Sequence, residues 1–163
     1  MFAKKDSVSL KIDFIIDSWI MENRTWIVFA NSNNCRHADA IRSLGFICWT
    51  MNQKAKFAIG DTVYLFMKEN RRIQFKMTVV DENCPRLDKA YWIKKAPQDK
   101  TYRLELEQEY KGKWLHEEIL KKYGFLGGRS IQSPCCNNTE LNRYIDSIFE
   151  EDQKMSCIQN VYN

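Results

Sequence analysis

The stretch that most limits what this chain can become is residues 57–80, which read as one β-hairpin. It opens on Ile59-Gly60-Asp61, and a Gly-Asp pair signals a turn. Glycine takes positive φ freely, and the Asp side chain bonds backbone amides close by. Thr62-Val63-Tyr64-Leu65-Phe66-Met67 follows, rich in β-branched and aromatic residues and ended by the polar turn 68–70. From Arg72 the pattern alternates strictly. Ile73, Phe75, Met77 and Val79 fall on one side, and Gln74, Lys76 and Thr78 on the other. A hairpin with one apolar face needs further strands to cover it, so the expectation is a small β-barrel.

The rest of the chain supplies those strands. Trp26-Ile27-Val28-Phe29-Ala30 reads as a buried strand that ends in the polar run Asn31-Ser32-Asn33-Asn34. Ala38, Ile41 and Leu44 recur at helical spacing, and Gly45 stands where a left-handed cap belongs. Phe46 to Met51 is strand-like again. After Val80 a loop broken by Pro85 leads to an apolar island, Ala90-Tyr91-Trp92-Ile93, and Tyr102, Leu104 and Leu106 then alternate as a half-buried strand. Trp114 to Tyr123 reads as a short helix stopped by Gly124. Thr139 is placed to cap a last helix with Leu141, Tyr144, Ile145, Ile148 and Phe149 on one face. The expected organisation is one α+β domain over residues 25–152. A helical extension over 1–24, with Leu10, Phe14, Ile15, Trp19 and Ile20 as its apolar stripe, precedes it, and a frayed tail over 153–163 follows.

Several function classes lack their residues. No apolar run approaches the roughly 20 residues of a membrane helix, and no apolar stretch follows the N-terminal lysines as in a secretory signal. None of the six cysteines has Cys-x-x-Cys spacing, so they read as reduced thiols of a cytoplasmic protein, and neither a metal nor a cofactor is implied. The two histidines, His37 and His116, lie far apart, and His116-Glu117-Glu118 lacks the second histidine of a zinc-protease helix. The glycine-rich run 124–130 lacks the Gly-Lys-Ser/Thr ending of a phosphate loop. The expectation is a binding module without catalysis of its own. Residues 1–134 hold 23 Lys/Arg against 16 Asp/Glu, whereas 135–163 hold two against five. A basic body with an acidic end suits a polyanion and equally suits an ordinary solvated surface.

Taken in order, these pieces resemble the PUA-like superfamily, in particular its EVE and YTH branches. They comprise a strand ending in a Ser/Asn loop, a helix closed by glycine, Cys48-Trp49-Thr50, and Ile59-Gly60-Asp61-x-Val63-Tyr64. The resemblance spans roughly Trp26 to Phe149 and implies a PUA-like barrel with flanking helices that reads a modified base in DNA or RNA. By motif, Trp49 with Thr50 matches the cage tryptophan, Asn31, Ser32 and Asn33 match the loop that reads the base edge, and Trp92 stands where a second cage tryptophan lies. The YTH branch has a lysine beside the loop serine, where this chain has Ala30-Asn31. The Gly-Asp-x-Val-Tyr run points to the EVE side, where modified cytosine in DNA is a frequent ligand. A separate effector protein such as a nuclease is an implied partner.

Physical chemistry sets its own terms for such a site. Flipping a base costs a few kcal/mol of unstacking, offset by stacking on aromatic faces. Burying one methyl is worth only ~0.8 kcal/mol, so a reader of methylation needs a tight, dry cage. Core packing is the competing role for every tryptophan. It is the expected one for Trp19, Trp26 and Trp114, whereas Trp49 suits core and site equally on its residues alone. Arg71, Arg72, Lys76, Lys94, Lys95 and Arg129 are the candidate phosphate contacts. Two other readings stay open. One is an RNA-binding module of the same fold without modification specificity, and the other is a protein- or small-molecule-binding domain that uses the same cavity.

Overall fold

The structure, a computed structural model, describes residues 23–127 and 138–161. The expected N-terminal helix and Arg129 lie outside the described residues. Strand β1 (Thr25–Ala30) leads through the polar run into helix α1 (His37–Leu44), strand β2 (Phe46–Thr50), and the hairpin of β3 (Thr62–Met67) and β4 (Arg72–Cys84). A 3-10 turn (Lys89–Tyr91), strand β5 (Thr101–Glu109), the short helix α2 (Glu117–Leu120) and the long helix α3 (Thr139–Val161) follow. The strands form one sheet in the order β1-β3-β4-β5-β2, in which β1 runs parallel to β3 and every other pairing is antiparallel.

The sheet curls into a half-barrel and does not close into the expected barrel: β1 and β2 are its two edges and share no ladder. Helix α1, which joins these edges in sequence, packs Ala40 and Ile41 into the cluster on one face of the sheet, with Val28, Ile47, Leu65, Phe75 and Met77. Gly45 takes φ 78° and donates its N–H to Ile41 O, which closes that helix where the sequence placed a cap. A second cluster covers the other face, where α3 lays Leu141, Ile145 and Phe149 over Ile27, Tyr64 and Phe66.

The anchor of the hairpin is Asp61, only 2% exposed. Its carboxylate accepts hydrogen bonds from Arg24 N at 2.9 Å, Ala58 N at 2.9 Å and Trp26 Nε1 at 2.8 Å. Gly60, at φ 93°, makes the turn that brings this side chain inward. One buried carboxylate thus ties β1 to the entry of β3, and the donors satisfy a charge that would otherwise be costly to bury.

Five local expectations are corrected. A bulge opposite Leu65 and Phe66 sends Ile73 to the second cluster, away from Phe75, Met77 and Val79. Strand β4 runs on to Cys84 through register shifts, so the loop starts only at Pro85. Asn138 caps α3 in place of Thr139, because its Oδ1 accepts the N–H of Leu141 at 2.9 Å. Trp114, expected in the core, is 52% exposed. Beyond Asp152, where a tail was expected, the chain remains helical to Val161.

Candidate nucleic-acid interface

The C-terminal ends of the two sheet edges frame a cleft. β1 delivers Phe29 and, just past its end, Asn31; β2 delivers Cys48, Trp49 and Thr50. The third side is the loop after β4, which contributes Arg86 and Trp92, and His37 from the first turn of α1 forms part of the wall. The cleft holds about 210 Å³. That is below the about 300–1,000 Å³ of a drug-sized pocket and suits a single heterocycle.

Arg86 holds these parts together. Its side chain is 1% exposed, as is that of Asp88, 3.6 Å away. It donates from Nη1 to Cys48 O at 2.8 Å, from Nη2 to Thr50 Oγ1 at 2.5 Å and from Nε to Pro97 O at 3.0 Å. Its guanidinium carbon lies 4.6 Å from the centre of the Trp92 ring, a cation–π contact. Asp88 accepts the N–H of Cys48 at 3.0 Å. The buried pair is therefore bonded on both sides and fixes the loop that carries Trp92 against the strand that carries Trp49. Backbone bonds from Arg36 N to Tyr91 O (2.9 Å) and from Ile93 N to Asn34 O (3.0 Å) secure the same loop to the polar run after β1.

The ring of His37 sits between the two indoles, its centre 5.8 Å from that of Trp49 and 6.4 Å from that of Trp92. Burial drives its pKa down to about 4; the charge of Asp88 works against this, and the charge of Arg86 adds slightly to the lowering. It is therefore neutral at physiological pH. Neither His37 Nδ1 nor Trp92 Nε1 has a hydrogen-bond partner among the described residues. The thiol of nearby Cys35 is pushed up to about 12, first by burial and then by the charge of Asp88, so it is no nucleophile. No group of three or more His, Cys, Asp or Glu among the described residues is placed to hold a metal ion. No helix among them is long and apolar enough to cross a membrane.

Of the residues singled out from the sequence, Asn31, Trp49, Thr50 and Trp92 come together in this cleft; Ser32 and Asn33 lie outside its wall. Arg71, Arg72 and Lys76 do not reach it, and each has a partner elsewhere. Arg71 forks onto Glu117 at 2.5 and 2.8 Å, Arg72 reaches the carbonyls of Lys111 and Gly112, and Lys76 pairs with Glu107 at 3.1 Å. Arg86, Asn34, Asn52 and Cys48 were not legible as cleft residues. No motif marks Arg86, whose importance comes only from its burial.

No family model matches the chain, and none of the curated proteins does. Solved structures do. A hypothetical protein from Leishmania major superposes with a TM-score of 0.55 at 15% identity, over 81% of this chain and 98% of that one. A point mutant of ZmASCH, from Zymomonas mobilis, superposes with a TM-score of 0.52 at 11% identity, over 77% of this chain and 99% of that one. The chain shares the fold of these structures, and at these identities the likeness concerns the fold alone. The half-barrel described here carries its cleft at the open end between its two edge strands.

Proposed function

We propose that this protein is a nucleic-acid-binding module that seats one flipped base of a single strand in the cleft, in the manner of the EVE and YTH branches. The observation that carries this reading is the pair of tryptophans, Trp49 and Trp92, on walls of a cleft sized for one ring and clamped by the buried Arg86. Stacking on such faces is worth about 1–3 kcal/mol per base and needs no particular sequence. The cations that would hold the flanking phosphates are Arg36, Lys54, Lys89, Lys94 and Lys95, on the segments that carry the cleft residues. Apart from Arg36, which pairs loosely with Asp39 at 3.8 Å, none has an ion-pair partner among the described residues. Preference for a methylated base is the finer part of the proposal. It draws on the apolar floor of Phe29 and Cys48, against which a methyl group would be buried.

The test is a titration of tryptophan fluorescence with short DNA and RNA strands, each with and without methylcytosine or methyladenine. Saturable quenching is expected, and Trp49→Ala and Trp92→Ala should each weaken binding about 10- to 100-fold while the circular dichroism stays native. Folded variants that bind as well as the parent would sink the proposal. Equal affinity for methylated strands and their plain twins would remove the methyl preference and leave a reader of ordinary bases.

A further inference from the structure

We propose that the cleft selects a base with carbonyls at both ends of its pairing edge, a uracil-type pyrimidine, over adenine; this rests on the base-binding reading above. The hydrogen-bonding capacity of the wall carries the argument. Asn31 Oδ1 accepts the N–H of Asn33 at 3.1 Å, and Asn52 Oδ1 accepts those of Lys54 at 2.8 Å and Ala55 at 2.9 Å. In both side chains the loop's own backbone takes the carbonyl oxygen. That fixes which way round the amide sits and leaves its NH2 without a partner among the described residues, on a side chain that lines the cleft. Thr50 Oγ1 accepts from Arg86, so its hydroxyl proton is directed elsewhere and can be donated. Trp92 Nε1 adds a further unpartnered N–H. Donors thus dominate this wall.

The acceptors left on side chains are few. His37 is one of them: it is about nine-tenths buried and neutral, so one of its two ring nitrogens is an acceptor, and Nδ1 has no partner among the described residues. The pairing edge of uracil runs carbonyl, N–H, carbonyl, an acceptor-donor-acceptor order that two amide NH2 groups and one neutral imidazole nitrogen complement. Adenine would turn its amino group toward amide donors and leave both unpaired on desolvation, and a site built on hydrogen bonds rejects that mismatch strongly.

The experiment uses the full chain and short single strands that are abasic except for one central uracil, adenine or cytosine, read by fluorescence anisotropy. Uracil should bind about tenfold or more tighter than adenine. Asn31→Asp and Asn52→Asp keep an oxygen for the loop amides but replace the NH2 with an acceptor. Each should erase the uracil-to-adenine ratio, and Asn52→Ala gives a neutral control for the added charge. Equal affinity for uracil and adenine, or a ratio that survives in both Asp variants, would overturn the selection while base binding stands. No binding of any strand would remove base binding and the selection together.

Discussion

Buried polarity in this molecule is concentrated in a few side chains, and each joins segments distant in sequence. Asp61 gathers N–H donors from Arg24, Trp26 and Ala58 at the entry of the hairpin, and Arg86 with Asp88 performs the same work for the cleft. The protonation of His37 bears directly on stability. Its pKa is lowered from 6.5 to about 4 by burial, so above pH 6.5 it is neutral whether the chain is folded or not. As the pH falls from 6.5 toward 4 the unfolded chain takes up the proton first, and stability is lost, by up to about 3 kcal/mol. Denaturant melts at pH 7.5 and pH 4.5 should therefore show a smaller acid-dependent drop in His37→Asn than in the parent; equal drops would mean the imidazole titrates normally. Asp61 could be read from Gly60-Asp61, because a turn pair before a strand is a local signal. Arg86 could not, because burial of a guanidinium depends on partners contributed by three other segments.

At the scale of elements, α3 divides into two halves. Leu141, Ile145 and Phe149 are buried, whereas beyond Asp152 the helix carries Met155, Ile158 and Val161 at 63%, 57% and 80% exposed. Hydrophobic burial ends at Phe149, about three turns before the helix does. Truncation after Asp152 should accordingly cost within about 0.5 kcal/mol, as surface changes do, whereas Phe149→Ala should cost about 3–5 kcal/mol. Chemical denaturation of both variants checks this, and a truncation as damaging as the core substitution would show that the distal half bears on the fold. All five strands could be read from alternation and β-branched runs, because those patterns are local. The bulge that turns Ile73 over was hidden, since a one-residue slip of register leaves no compositional trace. Trp114 was misjudged for a related reason. Its bulk argued for burial, but Leu115, next in the chain, takes the buried place.

For the molecule as a whole, the basic body matters through the few cations beside the cleft more than through net charge. Three phosphate contacts on a single strand would make log affinity fall with log salt at a slope of about −2. Binding isotherms across a range of salt concentrations read this directly, and a slope near zero would mean that the rim lysines touch no phosphate. The half-barrel also has a consequence for how its cleft comes to exist. β1 and β2 are separated in sequence by one short helix, yet they occupy opposite edges of the sheet, and β2 is held there by pairing with β5 some fifty residues later. Local folding of residues 25–50 therefore cannot complete the binding surface, whose Arg86 and Trp92 come later in the chain. The two tryptophan walls meet only once the chain has reached Glu109 and the whole sheet has zipped, so during synthesis the nascent chain stays blind to its ligand until most of the domain has been made.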